Sequence, residues 1–470
     1  MPVPDDDTMI SLGPSSIPFI VSFNDGRVDT ATRKFIRSHA MRGRKQLRIR
    51  PKRNVLVHGY DMTAGSVKAP PVNFQDITRL YVPPTRRIGA DLSFLASPED
   101  LDPFILTNII KVSPIAQKIV YPLITAIGNQ VDNRGWINLC TTDAAALHIT
   151  AFSIEVFVDL FLRRREQANP AAMVHFQKGL GLVSERLSGD DAMLNTTDAT
   201  IGVVLKLATS AHFAGDHEAE RQHMIGVRKM VDWRGGLGGF RNNHLLFEML
   251  RCDLVLAVFS TSKAVFFRQP LEPIPPFPFD ALPEFSDTAQ TRDTLELAGL
   301  IDTDLAGAWS IMRRFGLLVN LGAQVQRLVS TKVINETMTS VVYHLLYMRY
   351  SCRSLNEGLR LILLAYCYHV FLQWRDVKLP CPHLQNAFRE GTLALQQNGE
   401  VSPRFMLWML MVGAVTIFDV REEEWLSAML HHHARSQQRS WTEVQGILKS
   451  FLWIPLLDEE AARSIWARLD

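Results

Sequence analysis

Asp198-Ala-Thr-Ile-Gly-Val-Val-Leu-Lys-Leu-Ala-Thr-Ser-Ala-His-Phe213, then Ala214-Gly215, then Asp216-His-Glu-Ala-Glu-Arg-Gln-His-Met-Ile-Gly-Val-Arg-Lys-Met-Val-Asp-Trp233, is the stretch that decides the fold class. In the second limb Met224, Val227, Met230 and Val231 recur at three- and four-residue spacing, the period of one apolar helix face, and Gly235-Gly236 ends the pattern. The first limb reads as a second apolar helix. A connection of two residues leaves the helices no path except back along one another, so an antiparallel hairpin is expected.

Outward from this hairpin the same kind of signal repeats. Ser97-Pro98, Ser113-Pro114, Asn169-Pro170 and Ser402-Pro403 each place a capping side chain before a proline at the first helical position, and so predict four helix starts. Ser440-Trp-Thr-Glu443 has capping-box spacing, and Val444, Ile447, Leu448 and Phe451 follow on one face. The uncharged run from Phe405 to Phe418 spans 14 residues, short of the roughly 20 that cross a bilayer, and reads as a buried helix, as does Leu359 to Trp374. No run of alternating strands appears after residue 90. The expected fold is all-α, an irregular multi-helix bundle of antiparallel helices over residues 91–470. Gln269 to Phe285, with six prolines and three phenylalanines, predicts an extended connector that packs on its own domain.

Residues 1–90 are rich in proline and poor in periodicity, and predict a largely extended or disordered arm. Two elements interrupt it: a short strand at Pro18 to Phe23 and a helix from Asp29 to about Gln46. The arm holds the densest charge in the chain: Arg33, Lys34, Arg37, Arg42, Arg44, Lys45, Arg48, Arg50, Lys52 and Arg53, with no Asp or Glu among them. Removing those ten from the 50 Lys and Arg leaves 40 against 48 Asp and Glu, so a net charge of +2 conceals a run of +10 from Arg33 to Arg53 against −8 over the rest of the chain. Such asymmetry aims a cationic segment at an anionic partner or a transport receptor. Nuclear import explains the run with the fewest assumptions, phosphate contact with nucleic acid is the second reading, and a solvated charged helix the third.

With 47% hydrophobic and 21% charged residues in 470, the chain can bury a large core. Five cysteines, odd in number and scattered, argue against a disulfide framework or zinc knuckle, and no targeting leader is visible. Cytosol or nucleus is the expected compartment, with no membrane partner. His217-Glu218 with His223 fails the H-E-x-x-H rule, because histidines six apart on a helix face nearly opposite sides; His431-His432-His433 reads as a solvated helix end. Gly235-Gly-Leu-Gly-Gly239 follows a helix and lacks the Lys-Ser/Thr of a phosphate loop, so it reads as a helix stop. No nucleophile-and-base motif is recognisable. Neither a cofactor nor an enzyme is expected. The aromatic and Met-rich residues Trp408, Met409, Met411, Trp425 and Trp453 are either core or the border of a hydrophobic groove for a small molecule or an amphipathic partner helix.

Three blocks read together resemble the fungal-specific transcription factor domain family. They are Phe19-Ile-Val with Asp29-Thr-Ala-Thr-Arg-Lys-Phe-Ile-Arg-Ser-His-Ala-Met-Arg42; His223-Met-Ile-Gly-Val-Arg-Lys-Met-Val-Asp-Trp-Arg-Gly-Gly-Leu237 with Asn243 and Cys252-Asp-Leu254; and Phe405, Trp408-Met-Leu-Met-Val-Gly413 and Trp441-Thr-Glu-Val444 with Leu448-Lys-Ser-Phe-Leu-Trp453. The resemblance implies a helical regulatory region that acts through intramolecular or partner contacts. In that family it usually follows a DNA-binding zinc cluster of six closely spaced cysteines, which has no counterpart here, the first cysteine being Cys140. Relatives with this layout are described as transcription regulators, some within secondary-metabolite gene clusters. The implied protein is nuclear, with other transcription factors or co-regulators as partners, DNA contact weak or indirect, and homo- or hetero-oligomers as possible assemblies.

Overall fold

The structure, a computed structural model, describes residues 103–128, 139–159, 170–189, 192–240, 244–260, 263–284, 292–325, 327–399, 401–435 and 440–469. The basic run Arg33 to Arg53, the strand and helix expected within the arm, and Ser97-Pro98 lie outside these residues. The described chain begins with α1 (Pro103–Val120), α2 (Pro122–Ala126), α3 (Ala144–Phe157), α4 (Pro170–Ser188) and the single turn α5 (Ala192–Asn195). The hairpin helices follow as α6 (Asp198–Phe213) and α7 (His217–Trp233), then α8 (His244–Phe259). After the proline-rich connector come α9 (Arg292–Leu300), α10 (Thr303–Gln324), α11 (Thr331–Tyr347) and α12 (Leu355–Cys367). The C-terminal group is α13 (Pro382–Asn398), α14 (Pro403–Thr416), α15 (Glu424–Leu430), α16 (Trp441–Phe451) and α17 (Pro455–Arg468). No strand occurs among the described residues, and the chain is all-α. No helix among them is long and apolar enough to cross a membrane.

Side-chain caps set where these helices start. Ser402 accepts from the amide of Phe405 at 3.2 Å, with Pro403 opening α14. At α16 the capping box is complete: the Glu443 amide donates to Ser440 Oγ at 3.3 Å, and the Ser440 amide donates to Glu443 Oε2 at 2.7 Å. Pro170 opens α4 as expected. Ser113-Pro114 is the exception, lying inside α1 instead of starting a helix. Pro114 cannot donate to the carbonyl of Ile110, but only one helical bond is lost, and Ser113 Oγ turns back to the Ile109 carbonyl at 2.5 Å.

The turn between α6 and α7 closes as its sequence requires. Gly215 has φ of 72°, a left-handed conformation that suits glycine, and Asp216 caps α7 by accepting from Ala219 N at 3.0 Å. Gly235 and Gly236, at φ 86° and 88°, stop α7, with the Gly236 amide donating to the Val231 carbonyl at 2.9 Å; this is the helix stop expected of the glycine run. The proline-rich connector lies against its own domain: Phe277 packs on the His344 ring at 4.6 Å between centroids and closes over Gly307.

The main core is built around α14. Helices α12, α13, α15, α16 and α17 all pack on it, and every residue from Phe405 to Thr416 is buried. Five neighbours leave α14 no free face, which explains why its sequence is apolar all round instead of striped. Trp408 stacks on Phe451, meets Trp309 edge-on, and donates its indole N–H to the Leu452 carbonyl at 2.8 Å. Met409, Met411 and Trp453 are likewise interior, and Trp425 is half-buried, edge-on to Phe418 with its indole N–H on Glu423. Of the two readings left open for these five side chains, groove or core, Trp408, Met409, Met411 and Trp453 are core, because the helices that would have framed a groove are closed over α14; Trp425 stands half-buried beside them.

Candidate functional site

Three helices and one distorted turn converge beside the hairpin. His212 stands in the last turn of α6; His217 and Glu220 stand in the first turn of α7, one short turn later in the chain. Because the turn reverses direction, the two helix ends are brought side by side. Glu220 Oε2 accepts from His212 Nδ1 at 3.0 Å and from His217 Nδ1 at 3.1 Å. A carboxylate only accepts, so this geometry puts a proton on Nδ1 of each ring. His212 and Glu220 are buried, whereas the His217 side chain is 41% exposed.

The electrostatics follow from burial and contact. Burial raises the Glu220 carboxyl, but the hydrogen bonds from His212 and His217 outweigh it and hold the group below the usual range. The hydrogen bond to Glu220 raises His217 against a smaller opposing effect of burial. The open amides at the start of α7 favour a carboxylate at the same place. Glu220 thus stays ionised inside the protein.

The cluster borders a cavity of about 40 Å³ whose walls include Thr209, His212, Glu220, Cys252, Tyr368 and Trp374. That is room for about three waters. Cys252 comes from α8, its thiol 3.7 Å from Thr209 Oγ1 and pushed up to about 12 by burial and then by Glu248, so it is a neutral wall rather than a nucleophile. Aromatic rings back the cavity: Phe259 meets His212 edge-on at 4.8 Å between centroids, Tyr368 packs on Phe259 at 5.2 Å, and the Trp374 ring lies 4.1 Å from that of Phe213. Arg251, also at the cavity, is spent on backbone, donating to the carbonyls of Val120, Phe371 and Leu372.

A change of helix type delivers Tyr368 and Leu372 to this wall. After Cys367 the chain runs as a π-helical turn over Tyr368–Leu372, and the Gln373 amide reaches the Tyr368 carbonyl at 2.8 Å. The wider turn offsets its side chains from the α12 register.

His223, paired with His217 in the sequence reading, is buried further along α7 and takes no part in the cluster, as their six-residue spacing requires. What sequence reasoning missed was His212: the search for two histidines on one helix passed over the partner across the two-residue turn. The signal that would have found it is His212, His217 and Glu220 spanning nine residues around Ala214-Gly215, a turn already recognised. The histidine run is only partly solvated. His431 and His432 are exposed, but the π-helical turn His431–Arg435 brings His433 inward to 8% exposure. Comparison with known proteins gives no match: no family model, no curated protein and no solved structure is similar to this chain.

Proposed function

We propose that this chain is a transcription regulator whose helical body works by binding rather than by making bonds, with the basic arm as its nuclear address. The observation that carries the reading is the run of ten Lys and Arg without one acidic residue between Arg33 and Arg53, set against −8 over the rest of the chain. The all-α body and the resemblance of three sequence blocks to the fungal-specific transcription factor domain family support it. Acting within a secondary-metabolite gene cluster is part of the same proposal.

Nuclear accumulation of the full chain fused to a fluorescent protein tests it. R42A/R44A/K45A is expected to redistribute the fusion to the cytoplasm, and in a gel shift to weaken any duplex binding with a reduced salt dependence. A variant that enters nuclei and binds duplex as the wild type does overturns the assignment of the arm. A second reading, a co-regulator that never touches DNA and partners a zinc-cluster factor, draws on the absence of six closely spaced cysteines from this sequence; it predicts nuclear entry with no duplex shift until the partner is added.

A further inference from the structure

The geometry points to a binding site for one divalent transition-metal ion of the zinc class, held by His212, His217 and Glu220 and open on its fourth side to the neighbouring cavity. The ligand chemistry is the first argument. Two imidazoles and one carboxylate are the donor set with which zinc is held at three-ligand sites, where the remaining position takes water or a small ligand. Softer or oxygen-only ions are less suited to that set.

The spacing is the second. Ligand atoms about 2.0–2.2 Å from a tetrahedral ion stand roughly 3.3–3.5 Å apart. Glu220 Oε2 lies 3.0 and 3.1 Å from the two Nδ1 atoms, and one ligand atom from each of the three residues falls within 4.8 Å of the others. Seating an ion therefore requires Glu220 Oε2 to back off each imidazole by a few tenths of an ångström and the two imidazole nitrogens, at most 4.8 Å apart, to settle at tetrahedral spacing, with the two imidazole protons relocated from Nδ1 to Nε2.

The surroundings are the third argument. His212 and Glu220 line the 40 Å³ cavity themselves, so the open coordination position faces a partly open cleft with room for an inner-sphere water. His217, half-exposed at the rim, leaves the ion a route from solvent. The turn at Ala214-Gly215 and the Asp216 cap fix the two helix ends relative to each other, so the site is formed before the ion arrives. The inference is independent of the basic arm, and either can fail without the other.

The competing reading is a hydrogen-bonded His-Glu-His bridge that needs no ion. The test uses the full chain in an H431N/H432N background, which removes the exposed imidazoles that would bind metal at the surface. After chelator treatment, zinc is titrated in competition with a chromogenic chelator, and cobalt(II) is added in parallel to read tetrahedral coordination from its visible spectrum. One ion per chain is expected, together with zinc-dependent thermal stabilisation. H217A and H217Q, both at a half-exposed position, should lower affinity about tenfold or more and abolish the cobalt band, whereas H244A, also half-exposed but outside the cluster, should keep both. Circular dichroism confirms that the His217 variants fold; should one not, the other serves. Zinc uptake equal in wild type and the His217 variants, or no uptake by wild type, overturns the site and leaves the hydrogen-bonded bridge.

Discussion

The phenol of Tyr366 donates a 2.6 Å hydrogen bond to Asp458, 92 positions later in the chain. Asp458 is fully buried, and its carboxylate also accepts from the Ile454 amide at 2.8 Å and from His369 Nε2 at 3.0 Å. One side chain thus ties α12, the π-helical turn and the start of the last helix together. A second carboxylate does the same elsewhere: Asp253 accepts from the amides of Val265 and Phe266 and from Tyr343 Oη.

Asp458→Ala is expected to destabilise the fold by about 3–5 kcal/mol, because the buried Tyr366 hydroxyl and the half-buried His369 Nε2 lose their acceptor together and the Ile454 amide keeps only Tyr366 Oη, at 2.9 Å. Tyr366→Phe should cost about 1–2 kcal/mol, since Ile454 and His369 still hold the carboxylate. Urea unfolding of both singles and the double variant checks this. A D458A loss within 1 kcal/mol of zero would contradict the role given to the carboxylate.

Acid should weaken the protein through His223. Burial lowers this imidazole to about 4, while the unfolded chain titrates near the ordinary value of about 6.5. Between those values the unfolded state binds a proton that the folded state refuses, so stability is complete above about 6.5 and falls as the pH drops toward 4. From pH 7 to pH 5 this one group removes about 2 kcal/mol, and His223→Gln should lose correspondingly less over the same interval. Equal losses in wild type and variant, measured by denaturant midpoints at the two pH values, would refute it.

Two glycines should respond to alanine with opposite signs. A Cβ at Gly322 would stand 2.9 Å from the Arg327 carbonyl oxygen, a backbone atom that cannot swing away, so Gly322→Ala is expected to cost about 1–3 kcal/mol. Gly446 lies exposed in the middle of α16 with nothing within 4 Å of such a Cβ, and Gly446→Ala should stabilise by about 0.5–1 kcal/mol. Thermal melts that move in the same direction for both would undo the argument.

Much of the fold was legible in short segments because it rests on local chemistry. The capping box at Ser440, the cap at Ser402, the α6–α7 hairpin and the glycine stop after α7 each depend on groups within five residues of one another. Ser113-Pro114 misled because the same dipeptide suits a helix start and the interior of a long helix, and packing chose between them. Apolar character at Trp408 and Met411 was equally legible, but whether such residues line a groove or fill a core depends on how many helices close over them.

By itself, then, the sequence determined an all-α chain, where many of its helices begin and end, and the segregation of ten positive charges from an acidic body. The tertiary structure alone decided that α14 is enclosed on all sides, and that the His212, His217 and Glu220 cluster stands against a cavity walled by α8 and the π-helical turn. The reason is range. Caps, turns and periodicity act over one or two helical turns, and even the meeting of His212 with His217 and Glu220 lies within that reach, whereas the cavity wall comes from segments far apart in the chain whose meeting is set by the packing of the entire core.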